Sequence, residues 1–204
     1  MDQVVFMDFE ASSFRDGYPV EVGWAWVEGS DVQAESLLIS PADEWLTPAF
    51  TWDPIAESIH GLPLSRLQSE GKTPAYVCQE LNTQMEGKVV VFDTGPDGVD
   101  RHWLDLLFSE AGDKRLFKLG GAASDMLKAM AARHGLGEAQ LTAIQSSALP
   151  MIHHAAQDAA YYACCAVGIQ LIAAAGATEI SVDRCKSLVS GIKIVGIGRS
   201  HARA

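Results

Sequence analysis

Apolar and polar residues alternate along much of the first 40 residues, a pattern typical of β-strands that bury one face. The pattern covers VVFMDF (residues 4–9), YPVEVGWAWVEG (18–29) and VQAESLLIS (32–40), which are rich in β-branched or aromatic residues. Gly29, Ser30 and Asp31 provide a turn between the second and third segments. We therefore predict three consecutive strands that pair in an antiparallel manner.

Beyond residue 40 the pattern changes to helices that alternate with short apolar strands. The proline-rich segment 41–54 predicts an irregular loop. Thr73 and Pro74 mark a helix start, an N-cap followed by proline, and this helix runs to Gly87. KVVVFD (88–93) is apolar enough for a strand buried on both faces. The remaining predicted elements are helices over 101–112, 124–135 and about 154–175, a polar helical stretch before Pro150, a short strand over 115–120 and an edge strand over 191–198.

This order of elements predicts an α/β fold with a mixed β-sheet, three antiparallel strands followed by parallel strands, flanked by helices. The length of 204 residues fits one domain with a substantial core. We assign residues 1–176 to this domain and residues 177–204 to a C-terminal extension with an edge strand and a basic tail. The sequence contains no P-loop, nucleophile elbow or dinucleotide-binding fingerprint.

Composition and charge narrow the function classes. The longest nearly apolar stretch, YYACCAVGIQLIAAAG, is rich in alanine and glycine, so we interpret it as a buried helix and expect no membrane association. Because the N-terminus lacks a secretory signal pattern and the four cysteines lack metal-ligand spacing, we expect a cytoplasmic protein. The net charge of −11 argues against a protein that coats long nucleic acids, although residues 183–204 are basic.

Two carboxylates end the first predicted strand. Asp8 and Glu10 are two residues apart, so a strand places both on the same face. Neighbouring carboxylates raise each other's pKa and lower stability unless a cation lies between them or solvent reaches both. Two Mg²⁺ or Mn²⁺ ions would need about four carboxylate groups, so further acids would have to come from elsewhere in the chain.

The segment VFDTGPDGVDRHWLD offers one set of further acids. Its candidates are Asp93, Asp97, Asp100 and Asp105. Acids in the loop and first turn before a helix also act as caps, so we expect at most one ligand from this set.

A second set lies in PMIHHAAQDAAYY, where Asp158 falls within the first turns of a helix of small and apolar residues. A carboxylate in such surroundings is rarely a mere surface residue. His154 and Asp158 are four residues apart and share a helix face, whereas His153 must fold back from the loop before the helix. A histidine beside a carboxylate cluster is placed to take a proton from water.

In order and spacing, these motifs resemble the DEDD family of 3′–5′ exonucleases, specifically its histidine-containing branch. Asp8-x-Glu10 resembles the first family motif, and VDRHWL, with Asp100, resembles the second, F-D-x-x-aromatic-L. HHAAQDA resembles the third, His-x4-Asp, with His153 and Asp158 in register with the alanines of that motif.

The resemblance covers about residues 3–175 and implies a ribonuclease H-like fold. The second motif lacks the usual polar residues before Asp100, so Asp97 and Asp93 stay open as alternatives. His154 gives the His-x3-Asp spacing at which the sister branch has tyrosine. We assign His153, because the alanines then match the family pattern.

The resemblance implies that Asp8, Glu10, Asp100 and Asp158 bind two Mg²⁺ or Mn²⁺ ions, with His153 as general base. In the family mechanism one ion activates water and the other stabilises the leaving 3′-oxygen. The implied reaction is hydrolysis of phosphodiester bonds at the 3′ end of single-stranded DNA or RNA, with release of nucleoside monophosphates.

The resemblance also suggests nucleotide contacts by Phe9, Ala11 and His60, the last within the family-like SIHGL. Core packing explains Phe9 better, because its side chain should point away from Asp8 and Glu10, and a structural hydrogen bond explains His60 equally well. The acidic charge favours short oligonucleotide substrates or a protein partner, and a homodimer is equally compatible. Two alternatives stay open: a catalytically silent ribonuclease H-like interaction module and a related metal-dependent endonuclease. The presence of all four acids favours the exonuclease. The sequence does not distinguish DNA from RNA.

Overall fold

The computed structural model describes residues 3–95, 97–176 and 181–196. Within these ranges, six strands form one mixed sheet: β1 Val4–Ala11, β2 Pro19–Glu28, β3 Asp31–Leu38, β4 Val89–Phe92, β5 Lys118–Ala122 and β6 Ile194–Val195. Their order is β5-β4-β1-β2-β3-β6. β1–β2 and β2–β3 pair antiparallel, whereas β1–β4, β4–β5 and β3–β6 are parallel. The predicted mixed sheet is confirmed.

Helices flank this sheet. The described residues form eight α-helices: α1 Pro54–His60, α2 Leu64–Glu70, α3 Pro74–Gln84, α4 Val99–Ala111, α5 Ala123–Arg133, α6 Glu138–Ser147, α7 Ala155–Ala174 and α8 Val182–Ser190. The predicted start of α3 is confirmed, because the Thr73 side chain accepts a hydrogen bond from the N–H of Tyr76. α4 begins two residues before the predicted start, so Asp100 lies in its first turn.

The segment between β3 and α3 holds more structure than predicted. The predicted irregular loop contains a 3₁₀ helix over Asp43–Leu46, and α1 and α2 follow it. Trp45, only 1% exposed, stacks on Tyr18 with 5.5 Å between ring centroids. The Asp53 side chain caps the N-terminus of α1, and Gly61, with φ of 65°, ends that helix. This segment is stabilised by buried aromatic residues and helix caps. Because neither feature produces a periodic pattern of hydrophobic residues, the pattern along the chain did not predict its helices.

The sheet carries one hydrophobic core on each face. On one face Phe6 and Ala25 pack with residues of α5, α6, α7 and α8. On the other face Val5 and Trp24 pack with residues of α2, α3 and α4. The interpretation of the apolar stretch as a buried helix is confirmed by α7. None of the described helices is both long and apolar enough to cross a membrane.

The first turn of α7 lies unusually close to the middle of the sheet. A Cβ atom on Gly23 would overlap the backbone of Ala155 and Ala156, so this approach requires glycine. Gly23 of β2 pairs directly with Asp8 of β1. The close approach therefore brings the start of α7 next to the carboxylates of β1.

The helix α8 lies against α6 and α7. Cys185 and Val189 of α8 are buried in the same core as α7. The strand β6 runs parallel to β3 at the edge of the sheet. Arg199 and Arg203 of the predicted basic tail lie outside the described residues. The assignment of residues 177–204 to an extension stays a prediction.

Candidate active site

A cleft of about 600 Å³ opens at the carboxyl end of β1. Because β1 and β4 are parallel, their carboxyl ends meet at this edge of the sheet, close to the N-termini of α4 and α7. The cleft is lined by all the residues to which the sequence analysis assigned a role: Asp8, Phe9, Glu10, Ala11, His60, Asp100, His153 and Asp158.

Asp8 and Glu10 are contributed by the end of β1. Glu10 is 7% exposed and Asp8 is half-buried. Both side chains line the cleft, as expected from the two-residue period of a strand. Phe9, between them, belongs to the core on the opposite face of the sheet, although part of its side chain also lines the cleft.

Asp100 enters the cleft from the first turn of α4, where it is 6% exposed. The backbone N–H of Phe9 interacts with its carboxylate and favours the ionised form. Asp93, directly after β4, also lines the cleft and accepts a hydrogen bond from the Tyr162 hydroxyl. Asp97 is exposed, outside the cleft lining. Of the three acids proposed for the second motif, the cleft thus contains Asp100 and Asp93.

Asp158 is held by the loop that precedes α7. The N–H groups of Ile152 and His153 donate to its two carboxylate oxygens, at 2.9 and 3.0 Å. His153 has a φ of 57°, in the left-handed region that few non-glycine residues adopt. A backbone of this kind directs consecutive N–H groups at one anion. These hydrogen bonds hold residue 153 beside Asp158, although it precedes the helix by two residues.

His153 and His154 have different surroundings. Ligand atoms of Glu10, His153 and Asp158 lie within 4.8 Å of one another. The His153 side chain is exposed and lines the cleft. His154 is half-buried at the N-cap of α7, outside the cleft lining. The geometry therefore places His153, and not His154, beside the carboxylates.

Burial and mutual repulsion raise the pKa values of these carboxyl groups. Burial, and then the charge of Asp93, raise the pKa of Asp100 from 3.8 to about 6, although nearby backbone N–H groups partly offset this rise. Burial also raises the pKa of Asp158. The pKa of Asp8 is raised well above its ordinary value by burial and then by its charged neighbours Asp100, Glu10, Asp158 and Asp93. Asp8 is thus the electrostatic centre of the cluster.

The side chains that line the cleft are suitable ligands for divalent cations. Within the described part of the chain, the cleft lining includes neither lysine nor arginine. Carboxylate oxygens are the ligands that Mg²⁺ and Mn²⁺ prefer. A bound cation would favour the ionised forms that burial and repulsion now disfavour. The raised pKa values are therefore the electrostatic signature expected of a cation site.

Ala11 and His60 line the cleft next to the carboxylates. Ala11 is half-buried at the end of β1. His60 is 4% exposed at the end of α1, and its Nδ1 atom accepts the N–H of Leu62 at 3.0 Å. Their proposed contacts with a nucleotide, like that of Phe9, stay predictions.

An apolar rim around the cleft was missed in the sequence. The rim comprises Phe14, Ile59, Val99 and Met151, which are between 42% and 74% exposed. These residues come from four separate segments, so no local period identifies them. The only available signal was proximity, since Phe14 follows Glu10 by four residues and Met151 precedes His153 by two.

Several solved structures resemble this chain. Escherichia coli exonuclease I in a zinc-bound complex with single-stranded DNA matches with a TM-score of 0.58 and 11% identity, over 90% of this chain and 42% of that one. Its complex with a dT13 oligonucleotide gives 0.57 and 13%, over 84% and 41%. Another exonuclease I structure gives 0.59 and 15%, over 84% and 41%. The chain shares the fold of exonuclease I.

This similarity confirms the predicted ribonuclease H-like fold. The chain spans about 42% of the length of exonuclease I. No protein-family model matches the chain, and no curated protein sequence matches it. At identities of 11–15%, the similarity to exonuclease I establishes the fold alone.

Proposed function

We propose that this protein is a divalent-cation-dependent exonuclease that removes nucleotides from the 3′ end of single-stranded nucleic acid. One observation carries the proposal. The acids of three motifs that are distant in sequence, together with His153, line a single cleft in a fold shared with exonuclease I. Neither antiparallel pairing nor helix packing requires acids at these positions, and their burial lowers stability.

Four carboxylates would hold two Mg²⁺ or Mn²⁺ ions: Asp8, Glu10, Asp100 and Asp158. When bound, such ions polarise the phosphoryl oxygens and stabilise charge on the attacking and leaving oxygens. The protein fixes the positions of the ligands in advance. Backbone N–H groups hold Asp100 and Asp158, and β1 fixes the spacing of Asp8 and Glu10.

His153 is the general base in this proposal. Its imidazole lies close to the carboxylates of Glu10 and Asp158, so it can accept a proton from a water molecule that attacks the scissile phosphate. The exposed side of His153 can then release the proton to solvent. The left-handed backbone, fixed by the hydrogen bonds to Asp158, holds the base in place.

The cleft has the surface to bind nucleobases, but few groups that could bind the phosphates of a long strand. The rim offers apolar and aromatic surface, of which Phe14, 74% exposed, is the clearest platform for a stacked base. The described lining supplies neither lysine nor arginine for a long phosphate backbone. We therefore expect short single-stranded substrates. Exonuclease I has been solved with single-stranded DNA and with SSB, so DNA is the first substrate to test, while RNA and a protein partner stay predictions.

The test uses a 5′-labelled single-stranded oligonucleotide, as DNA and as RNA, incubated with Mg²⁺, with Mn²⁺ or with EDTA. The proteins are the wild type, Asp158→Asn and Asp105→Asn. Asp105 is the matched control because it is exposed and lies outside the cleft lining. We expect a ladder that shortens from the 3′ end, is lost in EDTA and in Asp158→Asn, and persists in Asp105→Asn.

Two results would contradict the proposal. Cuts within the oligonucleotide, before any terminal shortening, would identify an endonuclease. An absence of cleavage by folded wild-type protein with either Mg²⁺ or Mn²⁺ would favour the catalytically silent interaction module.

A further inference from the structure

We propose that Glu21 is a positioning residue that holds the start of α7, and with it Asp158 and His153, against the sheet. This inference rests on the proposed nuclease function for its effect on catalysis. Glu21 lies outside the cleft lining and belongs to none of the three motifs.

Glu21 is a fully buried carboxylate between two apolar residues of β2. Its exposed fraction is 0%, and its neighbours in β2 are Val20 and Val22. Burial of a carboxylate is costly unless hydrogen bonds compensate for the lost water. The Ser36 hydroxyl of β3 donates to Oε1 at 2.8 Å, and the N–H of Ala155 donates to Oε2 at 3.4 Å. Glu21 thus joins two strands to the first residue of α7.

The register of the sheet places Glu21 beside the carboxylate cluster. Glu21 pairs with Glu10, and two residues later Gly23 pairs with Asp8. Gly23 allows the first turn of α7 to approach β2, and Glu21 supplies the acceptor that this turn meets. Two residues of β2 therefore fix the start of α7: Gly23 by its lack of a side chain, and Glu21 by its hydrogen bond.

The first turn of α7 needs such an acceptor. His154, at the N-cap, makes no side-chain capping hydrogen bond. The first N–H groups of a helix lack partners within the helix and need a hydrogen-bond-accepting group from elsewhere. Glu21 provides this group from another element. Because Asp158 stands three residues after Ala155, any movement of the first turn moves Asp158 and its bonded loop at His153.

The test compares Glu21→Ala, Glu21→Gln and Val77→Ala with the wild type. Glutamine retains a carbonyl oxygen for the Ala155 N–H and an amide group that can donate to the Ser36 hydroxyl. Val77, fully buried in α3 in the core on the other face, provides a destabilised control with an unaltered α7. The readouts are kcat and KM with Mn²⁺ at a temperature where all variants are folded, and amide hydrogen exchange of residues 152–162.

We expect Glu21→Ala to lower kcat by roughly 10²-fold with a smaller change in KM, because misplaced catalytic groups mainly affect the chemical step. Exchange of residues 152–162 should be faster in this variant, whereas Glu21→Gln should remain close to the wild type in both readouts. Val77→Ala should be less stable, with kcat and exchange in this segment unchanged.

Unaltered kcat and exchange in folded Glu21→Ala would overturn the proposal, as would an equal loss of kcat in Val77→Ala. If the wild type itself has no nuclease activity, the proposed function fails, but hydrogen exchange still tests the anchoring of α7. Faster exchange in Glu21→Ala alone would then support the anchor, and unchanged exchange would refute it.

Discussion

Replacement of Asp100 by asparagine should stabilise the cation-free protein at neutral pH, although most substitutions of buried residues destabilise. Asp100 is 6% exposed, and the charge of Asp93 adds to the effect of burial. Ionised Asp100 is therefore unfavourable in the folded state when no cation is bound. Asparagine has similar size and keeps an oxygen that can accept the N–H of Phe9.

The size of this effect follows from the pKa of Asp100. Its value rises from 3.8 to about 6 on folding, and each pH unit by which a pKa changes corresponds to about 1.4 kcal/mol. Ionisation of Asp100 thus costs the folded state up to about 3 kcal/mol at pH 7. Since the folded protein binds this proton more tightly than the unfolded chain, wild-type stability should fall as the pH rises from about 4 to about 6.

The assay is urea unfolding in EDTA at about pH 5 and about pH 7, where the contribution of Asp100 differs. Asp100→Asn should gain up to about 3 kcal/mol over the wild type at the higher pH, and less at the lower pH. Asp105→Asn is the control, because Asp105 is exposed and pairs with Arg101 on the surface of α4, so its loss should change stability by less than about 1 kcal/mol. Equal or lower stability of Asp100→Asn at pH 7 would refute the view that Asp100 is held in an unfavourable charged state.

Three further predictions test the cation site, the base and the approach of α7. Mn²⁺ should raise the melting temperature of the wild type in a thermal scan, and this rise should be smaller in Asp8→Asn, since Asp8 is the electrostatic centre of the cluster; an equal rise would place the ion elsewhere. His153→Asn should lower kcat by roughly 10²–10⁴-fold in the oligonucleotide assay, with an unchanged melting temperature, because asparagine tolerates a left-handed φ; full activity would exclude His153 as the base. Gly23→Ala should cost about 3 kcal/mol or more in urea unfolding, because its Cβ would overlap the backbone of α7, whereas Gly121→Ala, with open space at its Cβ, should cost far less.

The sequence was sufficient to predict a mixed sheet with antiparallel strands first in the chain and parallel strands after them. Alternation identified β1, β2 and β3, and the apolar run of β4 indicated burial on both faces. These signals are local, because the polarity of each residue indicates whether its side of the strand is buried. The elements that were missed, the 3₁₀ helix and α1 and α2, are short and depend on contacts such as the stacking of Trp45 on Tyr18.

The carboxylates that gather in the cleft were anticipated from the order and spacing of three motifs that resemble the exonuclease family, and from acids that stand in apolar surroundings. Asp8 and Asp158 are both of this kind. Glu21 is too, but its role depends on a hydrogen bond to a residue more than a hundred positions away in the chain. The apolar rim was not predicted for the same reason. Exposed residues such as Phe14 and Met151 form one surface only after the fold brings four segments together around the cleft.

Anomalous diffraction from crystals grown with Mn²⁺ would test the proposed metal centre most directly. We expect two Mn²⁺ peaks among the carboxylates of Asp8, Glu10, Asp100 and Asp158, and neither peak in crystals of the Asp8→Asn variant. Peaks confined to other acidic surfaces, at a Mn²⁺ concentration that supports cleavage of an oligonucleotide, would contradict the assignment of this cleft as the active site.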